Sequence, residues 1–120
     1  MTLSAPQALN LWRMTLVESL RRGGPDLTAR QIAVLLTVYM TSPPHTVRGL
    51  AAGLKVSKAA ISRSLDRLGQ LELVRRKVDD ADRRSVLVQR TVRGSDFLSE
   101  FADLVIAAER DVSAAPAPPA

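Results

Sequence analysis

The chain has 120 residues, a formal net charge of +5, and 46% hydrophobic residues of which few are aromatic. It contains no cysteine, which excludes disulfides, thiol-based redox sensing and cysteine zinc sites. The length fits one domain with a modest core of Leu, Val, Ile and Ala. No apolar run approaches the ~20 residues of a membrane span. The N-terminus lacks the charged and apolar regions of a signal peptide, so a cytoplasmic location is expected.

The first predicted helix runs from Pro6 to Arg22 and is ended by Gly23-Gly24-Pro25. Leu9, Trp12, Leu16 and Leu20 form one apolar stripe, while Leu11, Met14 and Val17 lie outside it. A helix apolar on more than one side needs more than one partner, either inside the domain or in a second subunit. Thr28 and Gln31 have capping-box spacing, and Leu27 with Ile32 fits a hydrophobic staple. The second helix continues through Leu35, Leu36 and Tyr39 and stops before Pro43-Pro44. His45, the single histidine, is expected in a loop. Thr46 is expected to cap a short helix from Val47 to Gly53.

A tight turn over Gly53–Val56 leads to a longer helix, Ser57–Leu71, with Ser57 as its N-cap. Ile61, Leu65 and Leu68 share its buried stripe, and Ala59, Arg63 and Asp66 fall on the opposite side with Ser62 on a flank. A short helix, a tight turn and a second helix with small residues and a long donor on its open face form a helix-turn-helix pattern. In such proteins the second helix enters the major groove of DNA.

Leu73–Val78 and Ser85–Thr91, around the polar turn Asp79–Arg84, read as a β-hairpin. Val74, Arg76 and Val78 alternate with Arg75 and Lys77, which predicts one packed and one cationic side. Asp79, Asp80 and Asp82 lack the ligand spacing of a calcium loop and read as turn chemistry. Thr91 is expected to cap a last helix reaching about Val112, with Phe97, Phe101, Leu104, Val105 and Ala108 on one face. Residues 113–120, rich in Ala and Pro, are expected to form a flexible tail.

Charge is concentrated around these elements. Between Lys55 and Arg93 there are eleven cationic side chains against five acids. A basic surface beside a helix-turn-helix pattern is the electrostatic footprint of duplex binding; the alternative is a solvated basic face, the better reading of a charge run standing alone. An enzyme is not expected: there is no Gly-rich phosphate loop, no paired carboxylates on a helix and no histidine with a partner. No cofactor or metal is expected either.

The element order, with a hairpin after the second helix of the motif, defines a mainly α winged helix-turn-helix fold over residues 1–112. In that order and spacing the chain resembles the MarR family of bacterial transcription regulators. The resemblance rests on Leu27-Thr28-x-x-Gln31-x-x-Val34-Leu35, on Leu50-Ala51-x-x-Leu54-x-Val56-Ser57, and on Leu65-Asp66-Arg67-Leu68 through Leu73-Val74-x-Arg76. It rests most on Asp82-Arg83-Arg84 followed by Thr91 and Gly94, similar to the family's wing signature DxRxxxxxLTxxG. Two positions depart from the pattern: Arg90 replaces the signature Leu, removing an apolar anchor at the base of the wing, and Glu72 replaces the usual Gly. Family members also run longer, with an extra C-terminal helix, so the dimer and effector pocket are expected to be reduced or rearranged.

The helix-turn-helix reading puts Ser57, Lys58, Ala59, Ser62 and Arg63 on the major-groove surface. Arg63 is the best base reader, because a guanidinium can bind guanine O6 and N7 together. Ser57 and the helix N-terminus suit phosphate. The resemblance further implies that Arg83 or Arg84 enters the minor groove with Asp82 orienting an arginine. The alternative is that Asp82 and Arg84 only brace the hairpin. The expected protein is a nucleoid-associated homodimer that pairs through its terminal helices. It would bind double-stranded DNA at a pseudo-palindromic operator, most simply as a repressor. The rival readings are a winged-helix protein-interaction module and an architectural or replication-associated DNA-binding protein. The sequence names no small-molecule effector.

Overall fold

The computed structural model, which describes residues 2–114, has five helices and a small antiparallel sheet: α1 (Ala5–Arg21), α2 (Ala29–Met40), β1 (His45–Thr46), α3 (Val47–Leu54), α4 (Lys58–Gln70), β2 (Val74–Val78), β3 (Val86–Arg90) and α5 (Val92–Ala114). The contacts divide the chain into two compact units, Leu27–Phe97 and the chain on either side of it. The first holds α2 to α4, the sheet and the start of α5.

Its helices begin where side chains replace missing backbone partners. Thr28 Oγ1 accepts from Gln31 N at 3.1 Å while Gln31 Oε1 accepts from Thr28 N at 2.9 Å, completing the expected capping box. Thr46 Oγ1 accepts from Gly49 N and Ser57 Oγ from Ala60 N, so both expected N-caps are present. Each satisfies one of the four N–H groups that a helix start leaves unpaired. Val34, Leu35, Val38, Ile61, Leu65 and Leu68 are wholly buried and form the core between α2 and α4. Leu50, Leu73, Val74 and Val88 extend that core toward α3 and the sheet.

The sheet has three strands in the order β1-β3-β2. His45 therefore does not lie in a loop: it pairs with Val88, and Thr46 pairs with Leu87. A two-residue strand has no periodicity to read, and its only signal is that the prolines before it forbid helix. Between β2 and β3, Val74 pairs with Arg90 at the base of the wing and Val78 with Val86 at its far end. The expected packed side of β2 holds only at Val74, because Val78 is 49% exposed. The strand leaves the core after one residue, so alternation no longer matches burial.

Among the described residues two that are not glycine take the left-handed conformation, Lys55 with φ 57° and Glu72 with φ 61°. Each ends a helix of the motif at the place where glycine is usual. Lys55 bends the chain from α3 toward Ser57, and Glu72 turns it from α4 into β2.

In the second unit, α1 starts at Ala5 from a capping box of Ser4 with Gln7, one residue before the expected Pro6. Thr15 is fully buried and donates from Oγ1 to Leu11 O, and Leu104, Ala108 and Val112 of α5 are buried. Gln7 Nε2 donates to Val112 O at 3.5 Å. The predicted stripe on α1 is mostly not covered: Leu9 is 70%, Trp12 54% and Leu20 59% exposed. α5 continues through Ser113 and Ala114, so the expected tail does not begin at 113, and its remainder lies outside the described residues.

Candidate nucleic-acid interface

Burial alternates along α4 as its sequence period requires. Ala60, Ile61, Ser64, Leu65 and Leu68 face the core, whereas Ser57, Lys58, Ala59, Arg63 and Asp66 are exposed and Ser62 is half-buried. The five residues expected on the open surface thus share one side of the helix and its first turn. Ser57 Oγ already accepts from Ala60 N at 3.0 Å, which leaves its hydroxyl proton free to donate outward. Among the described residues neither Lys58 nor Arg63 has an ion-pair or side-chain hydrogen-bond partner in the protein. The small Ala59 between them leaves room for a close neighbour.

Asp66, one turn further along this exposed side, is held by Arg76 of β2, whose Nη2 donates to Oδ1 at 2.6 Å. The pair ties α4 to the wing and offsets a carboxylate on an otherwise cationic surface. Asp66 lies on the expected exposed side of α4, but Arg76, expected on the packed side of β2, is instead exposed; ten positions separate the two, so no local rule joins them.

At the wing tip, Asp82 Oδ1 accepts from the Arg84 backbone N at 3.1 Å and lies 3.5 Å from Arg84 Nε. Asp82 O also accepts from Ser85 N, and Asp79 N donates to Ser85 O, which closes the loop. The carboxylate of Asp79 takes Ala81 N at 2.9 Å. The carboxylates of Asp79 and Asp82 thus accept from backbone N–H groups of the turn, as turn chemistry requires. Asp82 braces the turn and touches Arg84 through the same oxygen, a contact that both readings of this residue require. Its exposed ion pair adds little energy, since Arg84 is 91% exposed. Arg83 points to solvent with no protein partner among the described residues.

The base of the wing is built around Tyr39 and Thr91. Tyr39 Oη accepts from Thr91 N at 2.9 Å and donates to Leu73 O at 2.7 Å. Thr91 Oγ1 accepts from Gly94 N and donates to Glu72 O. Gly94 must be glycine here, because a Cβ would overlap Tyr39 Oη and Leu73 O and lie 2.7 Å from Tyr39 Cζ. The Thr and Gly of the wing signature are explained by this junction. Arg90 does not leave the anchor position empty: its Nε donates to Val38 O and its Nη2 to Thr41 O, each at 2.9 Å. The sequence offered no hint of these partners, which lie about fifty positions away.

A recognition-type helix with an open cationic face, beside a two-stranded wing, defines a winged helix-turn-helix protein. The family model described as "MarR family" matches residues 25–85, about half of the chain, and the chain belongs to the MarR family of transcriptional regulators. It is 28% identical over 88 residues to the HTH-type transcriptional regulator PecS of Dickeya dadantii (strain 3937), covering 72% of this chain but 53% of PecS. The chain thus spans about half the length of that curated relative. Among solved structures, it is similar to MarR (25% identity, TM-score 0.67, covering 85% of this chain and 74% of that one). It is also similar in fold to the S. aureus MepR–DNA complex (22% identity, TM-score 0.72, covering 83% and 80%). Among the described residues no helix is long and apolar enough to cross a membrane.

Proposed function

We propose that this protein binds double-stranded DNA sequence-specifically as a homodimer and represses transcription from a pseudo-palindromic operator in the nucleoid. The observation that carries the reading is the exposed face of α4, where Lys58 and Arg63 have no protein partner among the described residues and flank a residue without bulk. Arg63 reads a guanine edge in the major groove. Lys58 neutralises phosphate, and Ser57 with the first-turn N–H groups accepts a second phosphate at the positive end of the helix. Arg84, steadied by Asp82, enters the minor groove with Arg83 beside it, most favourably where an A·T-rich tract narrows the groove. The MepR structure described as a DNA complex supports this use of the fold.

Two copies related by a two-fold axis place two recognition helices about one helical turn apart, roughly 34 Å. The uncovered apolar stripe of α1 supports pairing through the terminal helices. The test is selection from a randomised duplex library at near-physiological salt. A two-fold symmetric motif with half-sites one turn apart is expected. Recovery of no motif, with only salt-sensitive general binding, would overturn operator recognition in favour of an architectural role.

A further inference from the structure

Arg90 is the last residue of β3 and pairs with Val74, the first residue of β2, so it sits where the wing joins the body. Its two donors reach carbonyls at the C-terminal end of α2, Val38 O and Thr41 O. A helix end leaves such carbonyls unpaired and carries partial negative charge, so both hydrogen bonds are charge-assisted. The guanidinium carbon also lies 5.8 Å from the centroid of the Tyr39 ring, a cation–π arrangement. Tyr39 in turn holds the first residues of both strand junctions, Leu73 and Thr91.

We propose that Arg90 is a positioning residue for DNA recognition: its two-point fork on α2 sets the tilt of the wing relative to α4. This inference rests on the DNA-binding reading above. α2 packs against α4 through the central core and holds the wing base through Tyr39 and Arg90, so it is the common frame of both DNA-facing elements. The wing acts as a lever. A five-residue strand is about 16 Å long, so a tilt of about 10° at its base moves the tip by roughly 3 Å. That displacement removes a hydrogen bond at Arg83 or Arg84. The fork is planar and needs two N–H groups at a fixed spacing, which lysine does not supply.

The experiment is a set of fluorescence anisotropy titrations of the full chain with the selected duplex. It compares the wild type and Arg90→Lys, and places the same change in an Arg83→Ala/Arg84→Ala background and in an Arg63→Ala background. Arg90→Lys should weaken binding roughly tenfold in the wild type and keep that loss with Arg63→Ala, since the two act on different grooves. In the wing-tip background it should cost less than about twofold, because no tip contact remains to be misplaced. Unchanged affinity in Arg90→Lys, or an equal loss in the wing-tip background, overturns the inference. Arg90→Gln, which lacks both the charge and the two-point fork, provides a second variant should the lysine fail to fold, with the same pattern of losses expected and the same results overturning the inference. A wild type that binds no duplex refutes the proposed function instead. The fork is then judged on the free protein, where Arg90→Lys must shift the amide resonances of residues 79–85 and leave those of α4 in place. Unshifted wing resonances overturn it.

Discussion

Arg63 and Lys58 are both exposed cations on α4, yet they offer a duplex different chemistry. A guanidinium makes two parallel hydrogen bonds in a plane and therefore distinguishes guanine from other bases, whereas an ammonium is a point charge that any phosphate satisfies. Arg63→Ala should flatten base preference at one position of each half-site, at a cost of about 1–3 kcal/mol on the preferred sequence. Lys58→Ala should weaken all sequences alike and reduce the slope of log affinity against log salt by about one. Both are measured by titrating matched and mismatched duplexes at several salt concentrations. A uniform loss for Arg63→Ala would assign it to phosphate. Neither side chain contributes to the core, so each variant should melt like the wild type.

At the level of elements, the helix ends carry strain that can be measured. Glu72 holds the left-handed conformation between α4 and β2 at a cost of about 1 kcal/mol relative to glycine. Its exposed pair with Arg93 at 3.0 Å returns little of that. Glu72→Gly should therefore raise stability by roughly 0.5–1 kcal/mol, read as a higher denaturant midpoint at unchanged slope. A lower midpoint would show that the Arg93 pair outweighs the backbone term, and Arg93→Ala separates the two. The same comparison explains what the sequence made legible. Helices announced themselves through Thr28 with Gln31, Thr46 and Ser57, because caps are local chemistry within four residues. The open face of α4 followed from periodicity alone. β1 did not, since two residues carry no period, nor did the exposure of Val78, since alternation says nothing about where a strand leaves the core. The partners of Asp66 and Arg90 stayed hidden for a third reason. Each bond joins positions distant in sequence, and a charged residue looks the same there whether it meets water, a carboxylate or the end of a helix.

For the molecule as a whole, the question is what covers α1. Leu9, Trp12 and Leu20 recur on one side of the helix and remain more than half exposed, while the buried residue of α1 is Thr15. Leaving such a stripe in water forgoes about 25 cal/mol for each Å² of apolar surface, and a patch of this kind on a regulator marks an interaction surface. Under the proposed operator reading a second copy is the expected partner, because a two-fold site would be read by a protein with the same symmetry. Trp12→Glu discriminates between this and a merely exposed tryptophan. On a free surface the change is close to neutral, within about 0.5 kcal/mol. Across a dimer interface it buries an unpaired carboxylate, which costs about 3 kcal/mol or more and weakens association at least about a hundredfold. Sedimentation velocity at micromolar concentration should then show a dimer for the wild type and a monomer for the variant. The variant should still bind a half-site as weakly as one wild-type subunit would, and should lose the tighter binding to the full palindrome. If Trp12→Glu sediments as a dimer and binds the full site normally, the stripe of α1 is not the interface, and the two recognition helices must be brought into register by another surface.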